Sequence, residues 1–356
     1  MEGSARTTRL LHRTLGSACV AVLLGLGAAP NATAENAYWQ GRRDAIWENG
    51  IDPLTRQSNW YTKPARGKAR EPPDGNAIFA QGPLETNVLI TGNTTVASLI
   101  VEQNDGVYTF AVKGFLDILG AGIFNYDPTA PRFTISRQLS MRNAARFFAG
   151  GTLKSALIKI RPRGVLVMFE KSSGGNAEVA NTGGDVEFYD STSADRMKIT
   201  NAQTFSPDRG GRIRFFSHST GGDARFVNLG GGYLDFSTTR GPLGNRIVTA
   251  GDIYNDGSIN VGLNTLVVAD NFVMGSGLGS HQLHIRVVGD RAGKVHVDGE
   301  LTLGNSTELW VEGTDVDPGG YLVLRHDGAR SGSLQLVTHL SAYLRYFTNE
   351  IYLIVN

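Results

Sequence analysis

Apolar and polar residues alternate along most of this chain, in short segments that end at Gly, Asn or Asp. The alternation is clear from Asn87 onward, in NVLITGNTTVASLIV, and it continues to the last residues. A period of two is typical of β-strands with one buried side, and the turn residues separate one strand from the next. Only residues 135–148 have a weak helical pattern. The sequence therefore predicts an all-β protein.

A degenerate repeat underlies these segments, with the template small or apolar-x-apolar-x-Asn, then Gly-Gly, then apolar-x-Phe. Three copies are clear: Ala177, Val179, Asn181, Gly183, Gly184, Val186 and Phe188; Met197, Ile199, Asn201, Gly210, Gly211, Ile213 and Phe215; Ala224, Phe226, Asn228, Gly230, Gly231, Leu234 and Phe236. Two decayed copies are assigned to Ala156, Ile158, Ile160, Val167 and Phe169, and to Ala145, Phe147, Ala149, Gly150, Gly151 and Leu153.

The repeat length predicts how the strands stack. Equivalent residues lie 20 or 21 apart in most of the region 145–240, with two strands per unit. This period fits a right-handed parallel β-helix, a solenoid whose coils lie about 4.8 Å apart. Equivalent side chains then stack, so Phe188, Phe215 and Phe236 are predicted to form a buried column. Asn181, Asn201 and Asn228 are predicted to form a buried ladder, since buried amides need hydrogen-bond partners. The paired glycines are expected to supply positive φ angles at the next corner.

One interval is longer than the others. Met197 and Ala224 are 27 residues apart, and the excess lies in AQTFSPDR, Ala202 to Arg209. Insertions in solenoids leave the coil as loops, where partners often bind. The residues predicted to form this partner loop are Thr204, Phe205, Ser206, Pro207, Asp208 and Arg209.

The chain divides into four predicted regions. Residues 1–34 have three arginines, an apolar run and an NATA cleavage sequence, as a secretory signal peptide does. Residues 35–86 are an irregular, Trp-rich N-terminal cap, residues 87–310 the solenoid, and residues 311–356 a set of C-terminal capping strands. Cys19 is the only cysteine and lies in the leader, so the exported chain has no disulfide to stabilise it.

Composition narrows the function classes. Hydrophobic residues make up 41% of the chain and charged residues 19%, which is enough apolar surface for a core. The formal net charge is +1, so nothing supports nucleic-acid binding. No membrane-spanning apolar helix follows the leader.

The A-x-V-x-N-x-G-G-x-V-x-F units resemble the β-strand repeats of bacterial autotransporter passenger domains. The segments YWQG, IWENG, PPDGNAIF and TVASLIV are similar to the start of such passengers, and YLVLRHDGARSGSLQLV with YLRYFTNEIYLIV is similar to their end. The resemblance implies a parallel β-helix that is exported and displayed at the cell surface or outer membrane.

The resemblance also implies a C-terminal translocator barrel, which needs on the order of 120 strand residues. The sequence ends at Asn356 with no such segment. A separately encoded barrel is therefore an expected partner. A truncated product, a split passenger and a secreted relative remain open, and without a translocator the protein would be periplasmic.

Candidate chemistry in the sequence is sparse. Asp185 with Glu187, and Asp315 with Asp317, are i, i+2 carboxylate pairs, but any such pair on a strand has the spacing that glycoside hydrolysis needs. His281, His284 and His296 could be imagined as zinc ligands, although their spacing matches no helical zinc motif. No nucleophile elbow, phosphate loop or dinucleotide fingerprint occurs. We therefore expect no catalytic site, cofactor or metal.

The predicted function is that of a stalk or adhesin-like scaffold that binds an unknown surface or carbohydrate ligand. The alternative is a carbohydrate-active β-helix enzyme, a polysaccharide lyase or glycoside hydrolase. A groove lined by carboxylates and aromatic residues would favour the enzyme.

Overall fold

A computed structural model describes residues 35–64, 67–102, 106–143, 145–149, 155–203, 210–275 and 281–356. The predicted signal peptide and the predicted partner loop lie outside the described residues. Within them there are strands, bridges and turns but no helix. No helix among these residues is long and apolar enough to cross a bilayer.

The strands are numbered in chain order. They are β1 (Ala37–Trp39), β2 (Trp60–Tyr61), β3 (Ala69–Arg70), β4 (Asn76–Phe79), β5 (Asn87–Ile90), β6 (Asn93–Val101), β7 (Thr109–Val112), β8 (Phe115–Asn125), β9 (Arg132–Ile135), β10 (Gln138–Met141), β11 (Arg146–Ala149), β12 (Leu157–Ile160), β13 (Val165–Met168), β14 (Glu178–Thr182), β15 (Asp185–Phe188), β16 (Lys198–Ala202), β17 (Arg212–Ser217), β18 (Arg225–Asn228), β19 (Tyr233–Thr239), β20 (Ile247–Ala250), β21 (Ile253–Asn255), β22 (Ser258–Gly262), β23 (Thr265–Val268), β24 (Phe272–Met274), β25 (His281–Gly289), β26 (Arg291–Ala292), β27 (Lys294–Val297), β28 (Leu301–Leu303), β29 (Thr307–Val316), β30 (Gly319–His326), β31 (Arg330–Ser331), β32 (Gln335–Thr338), β33 (Ala342–Tyr346) and β34 (Glu350–Val355).

These strands form three parallel sheets. Sheet A contains the first halves of β6 and β8, then β10, β13, β15, β17, β19, β22, β25, β29 and β32. Sheet B contains β5, β7, β9, β12, β14, β16, β18, β21, β24, β28 and β31. Sheet C contains β1, β4, the second halves of β6 and β8, and β11, and later β20, β23, β27 and β30.

Each coil passes from sheet B to sheet A and then to sheet C. In three central coils sheet C is reduced to isolated bridges that link Ser173, Ser193 and Thr220. The chain is a parallel β-solenoid of about 10 turns, as the repeat predicts. Inward residues of the three sheets form one continuous apolar core.

Phe188, Phe215 and Phe236 are fully buried in sheet A. Their ring centroids are 4.7 Å apart at both steps, and the ring planes differ by 4° and 13°. The stacking follows from the coil spacing, because register partners in adjacent parallel strands lie one strand spacing apart.

The asparagines lie at the corner between sheets B and A. Asn181 donates to Oδ1 of Asn201 at 2.9 Å, and Asn201 donates to Oδ1 of Asn228 at 2.8 Å. Asn228 donates in turn to Asn255, at 2.6 Å, which the sequence analysis did not include. All four are fully buried. DIYNDGSIN has the same apolar-x-Asn-x-Gly pattern, so the sequence could have predicted Asn255 as a member of the ladder.

The glycines after the asparagines serve two purposes, only one of which was expected. Gly183 and Gly231 have positive φ angles, of 87° and 74°. At Gly211 and Gly232 the reason is space, because an added Cβ would lie 2.2 and 2.3 Å from the Oδ1 of the ladder asparagine. The expected positive φ angles therefore occur at Gly183 and Gly231, and the other two glycines provide space for the ladder.

Two decayed copies of the repeat are also placed differently from the prediction. Leu166 and Met168 point inward instead of Val167 and Phe169, because the preceding turn is one residue longer than the turn after Asn181. The copy that starts at Ala145 is not a sheet B strand.

That copy forms β11, which continues sheet C beside β8. The weak helical prediction for residues 135–148 is also wrong, because this segment forms strands that pair with neighbouring coils. Ile135, Leu139, Met141 and Phe147 are buried strand residues, and stacking on neighbouring coils outweighs local helical propensity.

The two ends of the solenoid differ in construction. At the N-terminal end Trp39, Trp47 and Trp60 are buried around Phe79, with ring centroids 4.7 to 6.1 Å apart. Parallel pairing already includes β1 and β4 there. At the C-terminal end β34 pairs antiparallel with both β30 and β33.

Candidate functional site

The outward side of sheet A carries a group of polar and aromatic side chains, many of which contact one another. We call the outward residues of β15, β17, β19, β22, β25 and β29 the sheet A face. They are Asp185, Glu187, Arg212, Arg214, Tyr233, Asp235, Ser258, Asn260, Gln282, His284, Glu308 and Trp310. They alternate with core residues along each strand, and most are half-buried.

Arg214 binds both members of the first carboxylate pair. Its Nη2 lies 3.3 Å from Oδ1 of Asp185 and also donates to Oε1 of Glu187. The hydroxyl of Tyr189 donates to the other oxygen of Glu187 at 3.1 Å. Burial, followed by the charge of Glu187, raises the pKa of Tyr189. Because one guanidinium contacts both carboxylates from the next strand, Arg214 links two adjacent coils.

Tyr233, Asp235 and Asn260 form the middle of the face. Asn260 donates to the Tyr233 hydroxyl at 3.1 Å, and that hydroxyl donates to Asp235 at 3.4 Å. Burial is the main reason that the pKa of Tyr233 is raised. A cavity of about 490 Å³ opens here, lined by Tyr233 and Asp235 together with Arg212, Arg214 and Ser258.

Gln282, His284, Glu308 and Trp310 form the third part. Nε2 of His284 lies 3.1 Å from Oε1 of Gln282, and the imidazole stacks on the indole of Trp310 at 5.6 Å. Trp310 donates from Nε1 to Glu308 at 2.8 Å. Burial lowers the pKa of His284, and the carboxylates of Glu312, Glu308 and Asp235 offset this only in part. His284 is therefore neutral at pH 7.

A second aromatic stack borders the sheet A face. Phe169, Tyr189 and Phe216 are half-buried, with ring centroids 5.2 and 4.5 Å apart. Arg142 lies over Phe169 at 4.4 Å, and Arg214 lies near Phe216 at 5.8 Å. We call these three rings the outer aromatic ladder. They extend the aromatic surface by three coils.

A separate concavity lies where sheet A meets sheet C. We call it the corner cavity; its volume is about 360 Å³. In the coil that forms this cavity, the outer aromatic ladder has no side chain, because the chain has Gly262 at that position. The φ angle of Gly262 is 61°. An added Cβ at Gly262 would lie 2.7 Å from Cβ of Ser237. The register of β22 against β25 also shifts between Asn260 and Gly262, and such irregularities often reshape a surface next to a site.

The three histidines of the imagined zinc site are not together. His281 points into the core, whereas His284 lies on the sheet A face. His296 lies on sheet C, with Nε2 3.5 Å from Asp298 and 3.3 Å from Asp327.

His296, Asp298 and Asp327 form a cluster in which both carboxylates are exposed. Arg325 also contacts Asp327, at 3.4 Å. Partial desolvation acts to raise the pKa of Asp327, but the hydrogen bond from His296 and the charge of Arg325 outweigh it and leave the pKa lowered. A guanidinium beside the carboxylate competes with a metal ion for the same oxygen.

The remaining predicted sites are placed as follows. Asp315 and Asp317 are exposed at and beyond the end of β29. The ends of the partner loop are held together, since Gln203 and Gly210 form an antiparallel bridge.

The inward repeat did not predict that Arg214, Tyr233 and the His284–Trp310 pair belong to one surface. The signal that could have identified this surface is the set of polar and aromatic residues at the outward positions of the same strands, which alternate with the inward residues of the repeat. No protein-family model and no curated protein matches the chain.

Proposed function

We propose that this protein is an exported scaffold of the autotransporter passenger type, whose sheet A face binds a saccharide at the cell surface or after secretion. The resemblance of the repeats and of both ends to passengers supports the first part. The solenoid is the architecture that this resemblance implies. The binding part depends on the sheet A face.

One observation carries the proposal: the outer sides of sheets A and B differ in the same coils. Sheet B presents Glu178, Ala180, Lys198, Thr200, Arg225, Val227 and Tyr254. Sheet A presents the outer aromatic ladder, Tyr233, Trp310 and a connected set of amides and carboxylates. Aromatic faces beside convergent hydrogen-bonding groups are the surface that sugars, with apolar faces and hydroxyl edges, complement.

We propose a binding rather than a hydrolytic role because the carboxylates of the face already have partners. Asp185 and Glu187 share Arg214, and Asp235 accepts from Tyr233. Glu308 accepts from Trp310. A general acid must contact the oxygen of the scissile glycosidic bond, and a carboxylate held by a guanidinium, a hydroxyl or an indole N–H is not free to do so.

The alternative, a carbohydrate-active β-helix enzyme, is favoured by the carboxylates and aromatic rings of the sheet A face and by the corner cavity. The corner cavity is lined by His284, whose lowered pKa leaves it neutral, together with Glu312, Arg246 and Arg286. A neutral imidazole is a competent general base at neutral pH.

The experiment is a screen of the purified protein against neutral and acidic polysaccharides, with binding and cleavage measured on the same samples. Trp310→Ala removes the most exposed ring of the face. Tyr254→Ala removes a ring from the outer side of sheet B and is the matched control. We expect binding without cleavage, weakened about tenfold by Trp310→Ala and unchanged by Tyr254→Ala.

Cleavage by wild type that is lost in His284→Gln would support the enzyme instead. Equal weakening by both ring substitutions, or no binding to any polysaccharide, would contradict a saccharide site on the sheet A face.

A further inference from the structure

The corner cavity differs from the rest of the sheet A face in its charge. Arg246 directly precedes β20 of sheet C and Arg286 lies on β25 of sheet A, and both residues line the same concavity. Within the described residues, neither guanidinium forms an ion pair or a hydrogen bond with another side chain. By contrast Arg214, one corner away, binds two carboxylates. Two arginines without partners in a concave site are available to a ligand.

The cavity also contains one negative group. Glu312 lines it and is the register partner of Arg286 on the adjacent strand. Two arginines and one glutamate leave one net positive charge, since His284 is neutral. A monovalent anion balances this charge, whereas a phosphate dianion would leave one negative charge in excess. The planar fork of a guanidinium binds a carboxylate through two parallel hydrogen bonds.

The neutral lining suits the rest of a sugar. Asn260, Ser237 and His284 line the same concavity, and Asn260 and His284 also belong to the sheet A face. A ligand that lies along the face therefore reaches the cavity without leaving the surface.

We propose that the corner cavity binds the carboxylate of an acidic sugar, with Arg246 and Arg286 as its two cationic contacts. This inference rests on the proposed function, because it assigns one subsite to a saccharide held by the sheet A face. It names the substrate class as a polysaccharide that contains uronic acid.

The test is calorimetric titration with a pectate oligosaccharide and with its methyl ester, which has the same sugar ring but no charge. The variants are Arg246→Gln and Arg286→Gln. Arg225→Gln, an exposed arginine on the outer side of sheet B, is the matched control. Thermal unfolding of each variant checks that it is folded, and the acid–ester comparison on wild type needs no variant.

We expect wild type to bind the acid more tightly than the ester. Arg246→Gln and Arg286→Gln should each weaken binding of the acid by about tenfold and leave binding of the ester unchanged. Arg225→Gln should change neither. Equal affinity for acid and ester, or equal weakening by Arg225→Gln, overturns the proposal, the second result because it indicates nonspecific charge attraction.

Two further results separate this inference from the proposed function. If the protein binds the ester through Trp310 but does not prefer the acid, the proposed saccharide-binding face is supported and the proposed carboxylate site in the corner cavity is overturned. Tighter binding of dextran sulfate with the same arginine dependence would assign a sulfate and contradict the carboxylate. Absence of binding to every saccharide removes both proposals.

Discussion

The inner and outer sides of sheet A carry similar ladders of aromatic rings that have different consequences. Phe188, Phe215 and Phe236 stack inside at 4.7 Å, and Tyr189 and Phe216 stack outside at 4.5 Å. The spacing is set by the coils, so stacking alone does not distinguish a core from a binding surface. Burial does, because the inner rings are fully buried and the outer rings keep part of their surface in water. The inner rings therefore determine stability, and the outer rings are available to a partner.

The largest expected effect comes from a charge on the inner side. Phe215→Asp removes a fully buried ring and places an unpaired carboxylate in the core, so we expect loss of about 4 kcal/mol or more of the free energy of unfolding. Thermal unfolding by circular dichroism and resistance to protease measure it. Phe216→Asp is the matched control, since its side chain faces outward beside Arg214. Similar loss in both variants would contradict the distinction between the two sides.

A smaller effect is expected at the amide ladder. Asn201→Ala leaves Asn228 without its donor and Asn181 without one acceptor, which should cost about 3 kcal/mol because buried polar groups lose their partners. Thr200→Ala, the outward neighbour, should change the free energy of unfolding by less than about 0.5 kcal/mol. Urea titration of both variants compares them. Equal stability of Asn201→Ala and wild type would mean that the ladder contributes nothing.

The glycine that packs against the ladder should come next. Gly232→Ala places a methyl group 2.3 Å from Oδ1 of Asn228 and should cost about 2 kcal/mol through overpacking. Gly230→Ala, in the same turn, meets only one atom within 4.0 Å and should be tolerated. Parallel melting curves provide the comparison. Equal destabilisation would indicate that backbone freedom, rather than space, explains both glycines.

The smallest effect concerns the outer side and pH. Burial lowers the pKa of His284 in the folded chain, so the unfolded chain binds this proton more readily. The stability contributed by neutral His284 is present above the unfolded pKa of about 6.5 and is lost as the pH falls below it. The melting temperature of wild type should therefore fall more steeply than that of His284→Gln between about pH 7.5 and pH 5.5. If the melting temperatures of wild type and His284→Gln changed equally with pH, the protonation of His284 would not be coupled to folding.

Much of the inner side could be predicted because it repeats. Val186, Ile213 and Leu234 occupy equivalent inward positions, and a one-residue slip would expose them, so alternation determines their direction. Prediction failed at Val167 and Phe169, where a turn one residue longer reverses the alternation without leaving a signal in composition. It also failed for residues 135–148, where local helical propensity and stacking favour different structures.

The sequence by itself determined the strands, the repeat and the identity of the residues that stack inside, because local alternation and a constant interval require no knowledge of distant parts. Only the tertiary structure decided which outward side chains meet. Arg214 reaches Asp185 across 29 residues, and Arg246 and Arg286 line one concavity at a corner between two sheets. These contacts depend on the register of one coil on the next. Loops of unequal length between coils set that register, and the local alternation of apolar and polar residues does not show it.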